Sequence, residues 1–189
     1  MALSTFHALS WDIPPTFPMA GTRFVMNGNT TVIDGYTFKA GWNANLNGGT
    51  QYNGDAWKPY NGVLLSTDSY FIGANAGQDN GASDGYSVLE LPFSTLRRAV
   101  GIAPVFDGTF LYHPRVFQAQ GSNNGSSWTN LGSQFTAATG WTTGVIRKFS
   151  FTNNVTYKFY RLNITDAGYN NANAGWAAVL CHQILWYAN

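Results

Sequence analysis

Charge is scarce in this sequence of 189 residues: only 10% are Asp, Glu, Lys or Arg, well under the roughly 25% of ordinary soluble domains. The net charge is +1, and Lys and Arg form no cluster, which argues against a surface that reads nucleic-acid phosphates. A single cysteine, Cys181, excludes an intrachain disulfide framework and a cysteine-only zinc site. The three histidines have no metal-ligand spacing.

Long apolar runs are also missing. No window approaches the roughly 18 apolar residues of a transmembrane helix, so no membrane insertion is expected. Met1 to Ala20 has neither a basic start nor a long apolar core, which makes a signal peptide unexpected. Glu90 is the only glutamate, and no spacing of aspartates selects a pair for glycoside hydrolysis. We therefore expect a protein that is not an enzyme.

Aromatic residues are abundant, at 16% of the chain, and strand signals recur between Gly- and Asn-rich turns. Arg23 to Met26 and Thr31 to Phe38 read as a hairpin. Tyr86 to Phe93 reads as a strand in which Leu89, Leu91 and Phe93 face one way. In Tyr157 to Thr165 apolar and polar residues alternate, as on a half-buried strand. This pattern predicts an all-β fold, a β-sandwich.

The first residues differ from the rest. Residues 1–22 read as an extended N-terminal arm because Pro14, Pro15 and Pro18 disfavour helix, and residues 23–189 read as one sandwich domain. The segment Met1 to Ala20 contains enough apolar side chains to need a partner surface. It packs either on its own domain or on a neighbouring subunit, and the sequence leaves both open.

Three groups of segments, in one order, carry a resemblance. The first group is Gly41-Trp42-Asn43-Ala44-Asn45, then Ala56 to Gly62 and Asp68 to Ile72. The second is Tyr86 to Pro92, Gly101-Ile102 and Pro114 to Trp128, which ends in the Gly-Ser-Asn-Asn-Gly-Ser-Ser-Trp turn. The third is Lys-Phe-Tyr-Arg-Leu-Asn-Ile-Thr at Lys158 to Thr165, and finally Gln183 to Tyr187. Together they resemble the discoidin, or coagulation factor V/VIII C-type, family, which overlaps the galactose-binding-like carbohydrate-binding modules.

This resemblance implies a discoidin-like jelly-roll β-sandwich of two antiparallel sheets with its binding site in loops at one end. It also implies a carbohydrate-binding, adhesion module rather than an enzyme. In this form the sequence also resembles phage fibre and adhesin proteins. The expected partners are cell-surface glycans and, through residues 1–20, other virion or adhesin subunits in a homo-oligomer. The expected location is a virion or a cell surface. The alternative is a structural virion protein that keeps the fold without a sugar site.

Sugar recognition requires flat apolar rings and a few polar groups for the hydroxyls. Trp42 and Tyr52 flank an Asn- and Gly-rich loop, so they are candidate ligand-binding residues. Tyr169, Asn171 and Trp176 lie in the last long loop of the predicted domain, where the family often places a stacking ring.

Two further candidates come from the resemblance. Sugar-binding relatives use a Tyr-x-Pro-Arg element, and Tyr112-His113-Pro114-Arg115 is similar to it. An arginine there donates a fork of hydrogen bonds. Here Arg115 runs directly into the next strand, which departs from those relatives. For both Arg115 and His113 the alternative role is a solvated loop charge or a salt bridge.

A structural Ca²⁺ site is implied by the family beside an Asp-Gly pair, which is Asn61-Gly62 in this chain. Calcium prefers charged oxygen ligands, so Asp55 and Asp68 would have to compensate. Asp55, Asn61 and Asp68 are therefore the candidate ligands of a calcium ion whose presence stays open.

Two residues are assigned structural roles. Trp128 follows the Asn-Gly turn and is expected to be a core anchor, since a large ring beside a turn can seal the end of a sandwich. Arg161 lies in a strand of aromatics and is expected to pair with one of the few acids.

Overall fold

The computed structural model describes residues 30–33, 36–42, 70–74, 85–106, 111–171 and 176–188. These residues form strands, turns and bends and no helix, in agreement with the all-β prediction. Among them no helix is long and apolar enough to cross a membrane. The predicted arm, residues 1–22, lies outside the described residues, so the predicted domain boundary stays a prediction.

Thirteen strands are described. They are β1 (Thr30–Ile33), β2 (Tyr36–Trp42), β3 (Tyr70–Ala74), β4 (Gly85–Thr95), β5 (Ala99–Phe106), β6 (Leu111–Tyr112), β7 (Pro114–Ser122), β8 (Thr129–Asn130), β9 (Phe135–Thr136), β10 (Arg147–Ser150), β11 (Tyr157–Ala167), β12 (Tyr169–Asn171) and β13 (Trp176–Tyr187).

The strands form two antiparallel sheets. The first sheet has seven strands in the order β1-β2-β4-β11-β7-β8, with β9 beside β7. The second has six, in the order β10-β5-β13-β12, with β3 beside β13 and β6 beside β5. Neighbouring strands are therefore often distant in sequence, as when β11 pairs with both β4 and β7. The predicted jelly-roll sandwich of two antiparallel sheets is confirmed.

The central strand β11 shows how sequence alternation places the core. Tyr160, Leu162 and Ile164 have no exposed surface, whereas Arg161 and Asn163 between them are partly exposed. Successive side chains of a strand point to opposite faces, so the apolar set faces the second sheet and the polar set forms the outer face. Each fully buried apolar side chain of this kind contributes about 1.5–3 kcal/mol.

An aromatic cluster closes part of the core between β7 and β10. Phe117 has no exposed surface, and its ring lies edge-on to Phe149 at a centroid distance of 4.9 Å. Phe135 lies 5.3 Å from each of these rings. Such offset and edge-on contacts add to simple area burial, so this cluster joins β7 and β9 of the first sheet to β10 of the second.

Two details of the strand predictions are wrong. Thr31 to Phe38 is not one strand: β1 ends and β2 begins within it, and Ile33 pairs with Tyr36. The Asp34-Gly35 pair, which lies between β1 and β2 in the sequence, is a strong hairpin signal. The prediction gave more weight to the strand propensity of the flanking residues and therefore missed it. Phe93 does not share the buried face of Leu91, because it is 66% exposed where the pairing of β4 with β11 shifts in register.

Candidate functional site

One end of the sandwich holds the predicted ligand-binding residues that the structure describes. In the first sheet Trp42 pairs with Gly85, Gly85 pairs with Ile164, and Ala167 pairs with Pro114. The ends of β2 and β11 therefore lie beside the starts of β4 and β7. We name this region the loop end.

The second sheet reaches the same end. Gly168 alone separates β11 from β12, and Asn171 of β12 pairs with Trp176, the first residue of β13. The last residue of β13, Tyr187, pairs with Ala99 at the opposite end of the sandwich. By strand placement, the loop end therefore holds Trp42, His113, Arg115, Tyr169, Asn171 and Trp176.

His113 forms the floor of this region rather than its surface. It is 8% exposed, and its ring centroid lies 5.5 Å from that of Trp141. A Cβ added to Gly168 would lie 2.0 Å from the His113 imidazole, so only a hydrogen fits there. The His113 carbonyl also accepts the Gly168 N–H at 2.7 Å. The structure therefore places His113 as a buried support of the β11–β12 junction, and ligand contact by this residue stays a prediction.

Arg115 is held by an ion pair. Its Nε donates to Oδ2 of Asp166 at 2.5 Å, and the two side chains are 43% and 20% exposed. The salt bridge that the sequence left open for Arg115 is therefore present. Within the described residues the guanidinium has no other hydrogen bond, so its terminal N–H groups are available to a ligand.

The other carboxylate oxygen of Asp166, Oδ1, is buried and has no hydrogen-bond partner among the described residues. Trp141 is only 9% exposed, and its Nε1 donates to the Ala137 carbonyl at 2.6 Å. Trp141 therefore packs beneath the loop end, a role that the sequence did not indicate for it.

Several predicted residues lie outside the described part of the chain. Tyr52 and the calcium candidates Asp55, Asn61 and Asp68 are among them, so the ligand role of Tyr52 and the calcium site stay predictions. Within the described ranges no group of three or more His, Cys, Asp or Glu side chains could hold a metal ion.

Two structural assignments from the sequence are wrong. Trp128 is partly exposed and lies on the outer face of the first sheet instead of in the core. Arg161 pairs with no acid among the described residues, where the salt bridges are Arg115–Asp166 and Lys158–Glu90. Its guanidinium lies over the ring of Trp128, the residue before β8, and the sequence alone does not reveal this contact.

Comparison with known proteins gives matches in structure only. No protein-family model matches the chain, and no curated protein matches it. Among solved structures, the module CpGH89CBM32-5 of Clostridium perfringens, in complex with GalNAc-β-1,3-galactose, matches with a TM-score of 0.54 at 14% identity. The match covers 82% of this chain and 96% of that one.

Two further modules match similarly. Chitosan-binding module 1 of a Paenibacillus sp. IK-5 chitosanase/glucanase has a TM-score of 0.53 at 17% identity, over 85% of this chain and 95% of that one. The CBM32 of AlyQ, in complex with 4,5-unsaturated mannuronic acid, has a TM-score of 0.54 at 14% identity, over 79% and 94%. At such identities the likeness establishes the fold, which is the galactose-binding-like, discoidin-type jelly roll of family 32 carbohydrate-binding modules.

Proposed function

We propose that the protein is a non-catalytic carbohydrate-binding module whose ligand site is the loop end. The observation that carries the proposal is the strand register, which brings Trp42, Tyr169, Asn171 and Trp176 to one end from separate parts of the chain. Their residue types are those that the sequence analysis connects with sugar recognition.

The residue types at the loop end suit a neutral sugar. Indole and phenol rings offer flat apolar surfaces, and an asparagine amide both donates and accepts hydrogen bonds. Arg115 adds terminal N–H donors in an orientation fixed by Asp166. Nothing in this set requires the protein to carry net charge, in keeping with the +1 balance of the sequence.

The structural comparisons support this proposal. The Clostridium perfringens module and the AlyQ module were each solved with a saccharide, and the present chain covers more than nine-tenths of each. A module of this size with one glutamate has few groups for acid–base chemistry, and binding requires none.

The test is a glycan array probed with the protein displayed multivalently, since avidity raises weak single-site affinity. Binding to at least one glycan is expected, and Trp176→Ala should lower the affinity at least about tenfold. The matched control is Phe93→Ala, which removes an exposed aromatic ring (66%) at the opposite end. A folded protein that binds no glycan, or equal losses in the two variants, would contradict the proposal.

We further propose that the module works at the surface of a virion or as a surface adhesin, attached through residues 1–20. The apolar residues of this segment, among them Phe6, Trp11 and Phe17, favour a partner surface. Deletion of residues 1–20 should abolish oligomerisation or particle attachment and leave glycan binding by the sandwich unchanged. Oligomers or attachment that survive the deletion would contradict this role of the segment.

A further inference from the structure

A second polar and aromatic surface lies on the outer face of the first sheet, centred on Arg161 in the middle of β11 and reaching Tyr86 near the start of β4. The outer face is the side opposite Tyr160, Leu162 and Ile164. One row of paired residues crosses it: Val88 of β4, Arg161 of β11, Gln120 of β7 and Asn130 of β8.

Arg161 lies at the centre of this surface between two rings. Its Cζ is 4.2 Å from the centre of the Trp128 ring and 5.9 Å from that of Tyr86. Cation–π contact at such distances stabilises a guanidinium over an aromatic face. Arg161, Trp128 and Tyr86 are each partly exposed, so the surface is open to a ligand.

Hydrogen bonds fix the guanidinium further. The Nε of Arg161 donates to Oε1 of Gln120 at 2.7 Å. Gln120 in turn donates through Nε2 to Oδ1 of Asn130 at 2.8 Å. Because the ring contact and the Nε bond define the guanidinium plane, little rotational freedom is left for a ligand to restrict.

The charge of Arg161 is not balanced by the described part of the protein. Glu90, the acid of the neighbouring cross-strand row, bonds Lys158 at 2.9 Å. Among the described residues the terminal N–H groups of Arg161 have no hydrogen-bond partner. Burial lowers the pKa of Arg161 because desolvation disfavours its charged form. A partly desolvated cation with no counter-ion in the described ranges gains most from an anion that reaches its open edge.

We propose that Arg161, Trp128 and Tyr86 form a binding site for the carboxylate of an acidic saccharide, of the hexuronate class. A carboxylate fits the planar guanidinium edge with two parallel hydrogen bonds. The exposed parts of the two rings are placed to contact the sugar that bears it. The choice of a saccharide as carrier rests on the proposed function, whereas the preference for a carboxylate rests on Arg161 alone.

The test compares oligogalacturonate with its methyl ester, which has the same sugar rings without the negative charge. Isothermal titration with the full chain should show binding of oligogalacturonate that Arg161→Gln weakens at least about tenfold, as for a lost charged hydrogen-bond pair. Arg161→Lys keeps the charge and a cation over Trp128 but loses the fork, and should weaken binding about fivefold or more. Binding of the methyl ester should be the same in all three proteins.

The matched control is Arg147→Gln. Arg147 also lies over two rings, Trp141 at 5.1 Å and Phe149 at 4.9 Å, but its guanidinium donates to the carbonyl of Thr139. Thermal denaturation of both glutamine variants separates a stability effect from a binding effect. The control should bind oligogalacturonate as the unchanged protein does.

Three results would overturn the proposal: no binding of oligogalacturonate, unchanged affinity in Arg161→Lys or Arg161→Gln, or an equal loss in Arg147→Gln. If Arg161→Gln does not fold, Arg161→Lys alone decides. If Trp176→Ala loses oligogalacturonate binding and the Arg161 variants keep it, the acidic sugar binds at the loop end, and the proposed function still stands. If the unchanged protein binds no glycan at all, neutral glycans included, both this proposal and the proposed function are refuted.

Discussion

The imidazole of His113 lies so close to the backbone of Gly168 that no side chain fits between them. A Cβ on residue 168 would approach the ring to 2.0 Å, and the His113 carbonyl accepts the Gly168 N–H at 2.7 Å. This contact joins the start of β7 to the junction of β11 and β12. The hairpin that carries Tyr169, Asn171 and Trp176 is therefore anchored through one glycine.

Gly168→Ala should destabilise the protein by about 1–3 kcal/mol, because an added methyl group in a filled space forces the surrounding groups to move. The free energy of unfolding in urea measures the loss. His113→Ala alone costs stability by removing the contact with Trp141, but it also makes room for the new methyl group.

The double variant His113→Ala/Gly168→Ala supplies the control. Gly168→Ala should cost clearly less in the His113→Ala background than in the unchanged protein, which is a coupling that a double-mutant cycle detects. Additive losses would show that the imidazole is not what excludes the side chain.

The ion pair of Arg115 and Asp166 should contribute little to stability. Arg115 is 43% exposed in its side chain, and exposed pairs contribute about 0.2–1 kcal/mol because solvent screens them. A double-mutant cycle with Arg115→Ala and Asp166→Ala should give a coupling energy in that range, decreasing in high salt. A coupling well above 1 kcal/mol, or none at low salt, would contradict the observed geometry.

Tyr160 should make stability depend on pH in the alkaline range. Its hydroxyl donates to the Thr95 carbonyl at 2.5 Å, and burial raises its pKa from 10.0 to about 12. The folded state thus favours the protonated phenol. The resulting stabilisation is complete below pH 10 and is lost as the pH rises from 10 to about 12, by an amount on the order of 2 kcal/mol.

Tyr160→Phe removes the titrating group and keeps the ring. The difference in unfolding free energy between the two proteins should therefore shrink as the pH rises through this range. Other alkaline titrations, including that of Cys181, affect both proteins and cancel in the difference. A difference independent of pH would show that the phenol is not buried in its protonated form.

Much of the fold followed from local patterns. The alternation in Tyr157 to Thr165 placed Tyr160, Leu162 and Ile164 in the core, where they have no exposed surface. The errors arose where a local signal competed with pairing. Phe93 has the right spacing for the buried face, but the register shift between β4 and β11 leaves it exposed. The spacing of residues within one strand does not predict such a shift.

For the candidate site, the sequence indicates residue types better than it indicates contacts. Strand order, which the resemblance implied, brought Trp42 and Trp176 to one end. The partner of Arg115 could have been any of eight aspartates, and Asp166 became its partner through the pairing of β7 with β11. The stacking of Arg161 on Trp128, the residue before β8, depends on the register of β11 with β7 and of β7 with β8.

Cys181 should report on opening of the whole core. It is the only cysteine of the chain, it has no exposed surface, and burial raises the pKa of its thiol from 9.0 to about 12. Because the thiolate is the reactive form, the native protein at pH 8 should not react with a disulfide reagent such as DTNB, whereas the unfolded chain should react at once. With increasing urea the reaction rate should follow the population of the unfolded state. Cys181→Ala gives the reagent background, and rapid stoichiometric labelling of the native protein would contradict the packing of β13 between β3, β5 and β12.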